Sequence, residues 1–277
     1  MYTGNVIDFH LHIGRKKDWH PWIIEYLKER NPYLFENFED VMNPDGLEKY
    51  LVKEGVAYAV VLAEDSPLTT GVVPNCYVQN FCKGRKRFIP FASINPNTTS
   101  NPEKVLENCV EGMGFKGLKL YPSYQHFFPN QRKIYSLYSK AVELGIQVMF
   151  HTGSSIYKNS KLKYGDPLHL DEVAADFPDL RIIMAHSGRG FWYDRAFFLS
   201  RVHKNVYMEI SGLPPQKLLQ YFPELEKNAD KVIFGSDWPG VGSIKENVDA
   251  VCALSLKETT IEKILYRNAE KLLGLKT

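Results

Sequence analysis

The stretch Val6-Ile7-Asp8-Phe9-His10-Leu11-His12 decides how the rest of the chain is read. It is a short apolar run, β-branched at its start, that ends in two histidines. On a strand, residues two apart point to the same side, so His10 and His12 project together. Seven further runs of this kind follow, at 57–63, 88–94, 115–121, 147–151, 181–186, 206–210 and 231–236. Their near-continuous apolar character is that of parallel strands buried on both faces.

Helix-like patterns separate the runs, at 44–54, 102–111, 131–144, 168–177, 189–203, 214–227 and 244–256, with a terminal one at 260–273. The connection around 68–82 carries the faintest helical signal. Strand-helix alternation argues for a parallel sheet, and eight units within ~250 residues match a closed barrel better than an open sheet. The 277 residues are therefore read as a single α/β domain spanning 1–277, a (β/α)₈ TIM barrel. One connection departs from the pattern. Residues 14–43 separate the first strand from its helix, with a short helix of their own near 21–28, and a connection that long suits a lid or a substrate wall. Its Trp19, Trp22, Phe35 and Phe38 would serve equally well just to pack the segment down.

Composition excludes several classes of function. The chain is 44% hydrophobic and 24% charged, as globular proteins are, and no apolar run approaches the ~18 residues of a membrane span. A formal net charge of +2 leaves no nucleic-acid footprint. The basic patches Arg15-Lys16-Lys17 and Lys83-Gly84-Arg85-Lys86-Arg87 read as solvated loop charge, although the first lies close enough to the histidine motif to attract an anionic substrate. Cys76, Cys82, Cys109 and Cys252 show no CxxC spacing and are read as reduced, mostly buried thiols. The first residues lack a signal-peptide pattern. A cytoplasmic protein acting on a small molecule, with no nucleic-acid or membrane partner, is expected.

In such a barrel the active site lies at the carboxyl ends of the strands. Ligand-type residues gather there in four of the eight. His10 and His12 end the first, His151 the fifth (Phe150-His151-Thr152-Gly153) and His186 the sixth (Ala185-His186-Ser187-Gly188), while Asp237 follows the eighth (Gly235-Ser236-Asp237-Trp238-Pro239). Singly, each has a bland explanation: a histidine satisfied at a strand tip, or an aspartate capping the next turn of chain. Jointly they place three nitrogen ligands, one carboxylate and a spare imidazole at one end of one barrel. His10, His12, His151 and Asp237 suit a divalent metal ion, Zn²⁺ foremost, with Mn²⁺ or Fe²⁺ as alternatives.

These four motifs resemble those of the amidohydrolase superfamily, and within it the branch called amidohydrolase-related family 2, to which aminocarboxymuconate-semialdehyde decarboxylase belongs. The resemblance runs from the first strand to the last. It implies His10, His12 and His151 as metal ligands, Asp237 as ligand and proton shuttle, and His186 as a catalytic group beside the metal's water. Two-metal members of the superfamily bridge their ions with a carboxylated lysine or a glutamate from the fourth strand. Lys119 lies in that strand, but the branch resembled lacks the bridge, which implies one metal. Lys119 is then a substrate-carboxylate contact or part of the barrel's interior. Arg189 is a second carboxylate contact or a surface residue at a helix start. Tyr121 and Trp238, at the ends of the fourth and eighth strands, are expected to line the pocket. Enzymes of the branch are often dimers, which makes 14–43 a candidate homodimer interface.

A metal of this kind lowers the pKa of its water toward ~7. The same five side chains then serve two reactions. The first reading is a hydrolase that opens a C–N or C–O bond of a small carboxylated molecule. The alternative is a nonoxidative decarboxylase, a lyase, of an unsaturated or aromatic acid. Ligand identity does not separate them.

Overall fold

The computed structural model describes residues 4–275. Eight parallel strands form one sheet in chain order: β1 Val6–His12, β2 Val56–Leu62, β3 Phe88–Ser93, β4 Gly117–Leu120, β5 Gln147–Gly153, β6 Ile182–Arg189, β7 Val206–Glu209 and β8 Val232–Ile233. Backbone bonds between the segment after β8 and β1 close the ring. The Phe9 N–H donates to the Phe234 carbonyl (3.0 Å), the Asp237 N–H to His10 (2.9 Å) and the His12 N–H to Trp238 (2.7 Å). The fold is a single-domain TIM barrel.

Alternation along the strands divides their side chains between two packed regions. Ile7, Phe9, Val60, Leu62, Phe91, Met149, Ile183 and Ile233 form one cluster, joined by Tyr266, Ala269 and Leu272 from the C-terminal helices. Their neighbours Val61, Leu118, Leu120, Val148, Phe150, Met184 and Met208 pack in the other, against the outer helices. Helix starts are fixed locally: Asn43 accepts from the Gly46 N–H (2.9 Å) and Ser243 from the Glu246 N–H (3.2 Å), caps worth about 1 kcal/mol each.

Three connections differ from expectation. The helix expected over 214–227 is a helix of one turn, Leu218–Tyr221, between the 3₁₀ segments Pro215–Lys217 and Leu225–Lys231, because Pro223 has no N–H for the ladder. The helix expected from 189 begins at Tyr193, since Arg189 still belongs to β6 and Gly190 turns the chain at φ +94. The faint stretch 68–82 holds half of a small hairpin, Glu64–Ser66 paired with Gly71–Val73, followed by the helix Asn75–Cys82.

Residues 14–43 fold into a 3₁₀ turn and three helices, Pro21–Arg30, Pro32–Glu36 and Phe38–Val41. That hairpin holds them down. Trp19 bridges to Gly71, the Trp22 indole donates to the Thr69 carbonyl (2.9 Å), and His20 bonds the Pro67 carbonyl (2.7 Å). Gly71 is required: it sits at φ +133, and a Cβ there would lie 2.1 Å from the Asp18 carbonyl oxygen. The basic patches are partly spent inside the chain, Arg15 on Asp18 (2.8 Å) and Arg85 on Glu48 (2.6 Å) and Asp45. All four cysteines are unpaired, with Cys76 exposed rather than buried. No described helix is long and apolar enough to cross a membrane.

Candidate active site

The carboxyl ends of the strands open into a cavity of about 270 Å³ lined by His10, His12, His151, His186, Arg189 and Asp237. Trp19, Ile23, Tyr26 and Leu27 of the 14–43 segment form one wall, so that segment encloses the site as well as packing down.

The imidazoles converge. His10 Nε2 and His12 Nε2 lie 3.2 Å apart, and Asp237 Oδ1 is 3.5 Å from the first and 3.4 Å from the second. Asp237 Oδ2 faces the other way, 3.8 Å from Arg189 Nη1 and 4.0 Å from His186 Nδ1. Ligand atoms of His10, His186 and Asp237 all fall within 4.8 Å of one another. The His151 ring meets the His186 ring edge-on at 4.7 Å, and its Nε2 is buried with no hydrogen-bond partner. All five residues expected at the site are therefore together.

Burial, assisted by the charge of Lys119 and, at His151 and His186, of Arg189, holds the His10, His151 and His186 imidazoles well below their ordinary pKa. They are neutral at neutral pH, which is the ligating form. The compact set is His10, His186 and Asp237, with His12 Nε2 against His10 Nε2 and the partnerless His151 Nε2 on the same cavity. Donors of this type fit a divalent cation. The backbone is strained at the same place: His186, Ser187 and Asp237 sit at φ +62, +43 and +67, a left-handed region costly for residues with a side chain.

The expected substrate contacts divide. Arg189 reaches the cavity, its guanidinium donating to the Ser154 carbonyl at 3.2 Å. Tyr121 lines it too, with its hydroxyl committed to the Ala63 carbonyl at 2.9 Å. Lys119 does not line it. The ammonium is fully buried in the barrel, 3.4 Å from His10 Nε2 and 3.4 Å from Met149 Sδ, so the interior reading replaces the substrate-contact one. Trp238 is also withdrawn, fully buried with its ring 5.3 Å from that of Tyr50, because the chain after Asp237 folds back against β1.

A second ring of polar groups escaped the sequence reading. Asp8 is buried under the site and accepts from the Ser236 N–H (2.9 Å), the Ser236 hydroxyl (2.6 Å) and the His10 N–H (3.1 Å), while burial still lifts its carboxyl to about 6. Glu209 ends β7 beside His10 Nδ1 at 3.0 Å, and Glu64 lies 4.0 Å from His12 Nδ1. Burial raises the carboxyls of Glu64 and Glu209 and lowers the Lys119 ammonium. A charged residue inside a buried apolar strand, as in Val206-Tyr207-Met208-Glu209-Ile210, was the available signal.

Comparison with known proteins decides the family. The amidohydrolase family model matches residues 7–275. The chain belongs to the amidohydrolase family. This amidohydrolase is 23% identical over 237 residues to gamma-resorcylate decarboxylase of Rhizobium sp. (strain MTP-10005), covering 68% of this chain and 71% of that one. Among solved structures, an uncharacterized TIM-barrel protein from Bordetella bronchiseptica superimposes with a TM-score of 0.80 at 22% identity, over 98% of this chain and 99% of that one. A 5-carboxyvanillate decarboxylase from Novosphingobium aromaticivorans, solved with bound manganese, superimposes with a TM-score of 0.72 at 15% identity, over 99% and 98% of the two chains.

Proposed function

We propose that this amidohydrolase is a metal-dependent nonoxidative decarboxylase of an aromatic or unsaturated carboxylic acid. The observation that carries the reading is the cavity: about 270 Å³, flanked by Tyr121, Tyr124 and Tyr157, with the Arg189 guanidinium beside the Asp237 carboxylate. It has room for one flat ring and a cation for one carboxylate. The curated relative acts, by its name, on a substrate of that kind. Hydrolysis, the first reading of the sequence, becomes the lesser one.

One divalent ion would be held by His10, His12, His151 and Asp237, Zn²⁺ on donor type with Mn²⁺ its rival, and it supplies a Lewis acid that polarises a substrate oxygen. The rest falls to the chain's own groups. Arg189 binds the substrate carboxylate, and the aromatic side chains fix the ring plane. Asp237 divides its work between its oxygens: Oδ1 faces the imidazole pair, and Oδ2 faces Arg189 and His186. Oδ2 would take up a proton from solvent and pass it to the ring carbon as the bond to the carboxylate breaks; the bonding pair stays on that carbon and CO₂ leaves. His186, neutral in its buried setting, would take up and return the proton that Asp237 handles. Unpaired cysteines suit a cytoplasmic enzyme. A homodimer joined through 14–43 would appear in sedimentation velocity as twice the mass of the chain.

The test is a panel of hydroxybenzoates and carboxyvanillates, assayed in parallel with lactones and amides on metal-loaded protein. Release of CO₂ in step with the decarboxylated ring is expected. Ring or amide opening without CO₂ would overturn the reading in favour of hydrolysis.

A further inference from the structure

The seventh strand supplies no member of the proposed donor set, yet its end touches two of the clustered imidazoles. Glu209 is fully buried there. Its Oε1 accepts from the Ser211 N–H at 2.6 Å, and its Oε2 from the Ser211 hydroxyl at 2.8 Å. As a carboxylate Glu209 only accepts, so the hydrogen between Oε2 and His10 Nδ1, 3.0 Å apart, belongs to the ring nitrogen, which the Ser211 hydroxyl oxygen also approaches at 2.9 Å. The Ser211 carbonyl, which can only accept, lies 3.0 Å from His186 Nδ1. The Ser211 hydroxyl oxygen is also 3.0 Å from that nitrogen, and its hydrogen is already spent on Glu209. His186 therefore carries its hydrogen on Nδ1 as well. In a neutral imidazole this leaves the lone pair on Nε2. The barrel makes room for the arrangement: Gly235 has no Cβ, and one there would lie 2.1 Å from Glu209 Oε1.

We propose that Glu209 and Ser211 are positioning residues that set the tautomers of His10 and His186 together, leaving Nε2 of His10 free to take the metal and Nε2 of His186 free to act as an acceptor. Its consequence for the metal rests on the function proposed above, but its geometry does not. His12 shows the contrast: Glu64 stands 4.0 Å from its Nδ1, beyond hydrogen-bond reach, so the device serves His10 and His186 but not His12.

The experiment reads ring-nitrogen ¹⁵N shifts in metal-free protein, and Zn²⁺ affinity by chelator competition, for the wild type, Glu209→Gln and Ser211→Ala. Wild-type protein is expected to show Nδ1–H on both rings. An amide cannot accept at both ends, so Glu209→Gln should gain Nε2–H at His10 and bind Zn²⁺ roughly 10- to 100-fold more weakly at a similar melting temperature. Ser211→Ala removes the hydroxyl that contacts Glu209 and His10 but keeps the carbonyl, so it should loosen the His10 tautomer and leave His186 with Nδ1–H. Unchanged tautomers in both variants, with Zn²⁺ affinity within about twofold, would overturn the proposal. Should Glu209→Gln not fold, the His10 signal in Ser211→Ala decides alone. Should the wild type bind no metal, the function reading fails while the ring shifts still decide this one.

Discussion

Replacing Arg189 with methionine should raise KM for the acid much more than it lowers kcat. The guanidinium is held at the cavity wall by the Ser154 carbonyl (3.2 Å) and by Asp237 Oδ2 (3.8 Å), with a quarter of its side chain exposed. A bare pair of charges at that separation would attract by about 4 kcal/mol at an effective dielectric of 20. Partial exposure screens this, leaving a charge-assisted hydrogen bond worth about 1.5–2 kcal/mol. At ~1.4 kcal/mol per decade, the substrate should bind roughly 10- to 30-fold more weakly. Negative charge leaves the carboxylate as the C–C bond breaks, so the contact is strongest in the ground state. Its loss then falls on KM, while kcat changes by less than about threefold. Arg189→Lys keeps the charge but loses the fork that reaches Ser154, and should fall between. Steady-state CO₂ release over a range of acid concentrations measures the split. An Arg189→Met enzyme with wild-type KM and a collapsed kcat would refute the assignment, placing Arg189 with the proton transfer instead.

The same geometry sets three other outcomes. Asp237→Asn preserves the shape but removes the proton carrier, so kcat should fall by about 10²–10⁴-fold; full turnover at normal metal content would remove Asp237 from the chemistry. Gly71→Ala sets a Cβ 2.1 Å from the Asp18 carbonyl at φ +133 and should cost about 1–3 kcal/mol in urea unfolding, with KM rising as the wall built on Trp19 loosens. Lys119→Met removes the buried ammonium that lies 3.4 Å from His10 Nε2 and should cost about 1–3 kcal/mol of stability. A stable Lys119→Met protein that instead loses only substrate affinity would return Lys119 to the substrate.

Much of this architecture is legible in the amino-acid order because it rests on local, periodic signals. The apolar run ending at His12 becomes β1 with the same bounds, and the run at 147–151 becomes the body of Gln147–Gly153. Strand-tip location then brings His10, His12, His151, His186 and Asp237 to one cavity. What stayed hidden depends on side-chain direction. Lys119 and Tyr121 are two apart at the end of one strand, yet the lysine stops beneath His10 while the tyrosine reaches the cavity. Trp238 follows Asp237 directly, but the left-handed turn at Asp237 sends the two side chains to different places. Glu209 looked like an ordinary strand residue, because its partners lie 199 positions away at His10 and two positions on at Ser211.

The strained residues show how the barrel holds such a site without a dedicated loop. Left-handed backbone at His186, Ser187 and Asp237 costs about 1–3 kcal/mol apiece, and each of the three residues hydrogen-bonds a neighbouring part of the barrel. The Ser187 hydroxyl donates to the Glu209 carbonyl (2.9 Å), His186 Nδ1 meets the Ser211 carbonyl (3.0 Å), and the Asp237 N–H donates to the His10 carbonyl (2.9 Å). Two of these three bonds end on Glu209 or Ser211, and the third on His10, which Glu209 also holds. The strain on β6 and beyond β8 is thus anchored to the same two neighbours, β7 and β1. The Ser187 hydroxyl donates to the Glu209 carbonyl and the Ser211 hydroxyl to its carboxyl, so substitutions at Ser187 and Ser211 meet on one residue and should couple rather than add. A double-mutant cycle in urea on Ser187→Ala and Ser211→Ala would expose that coupling; strict additivity would mean that each serine holds Glu209 independently.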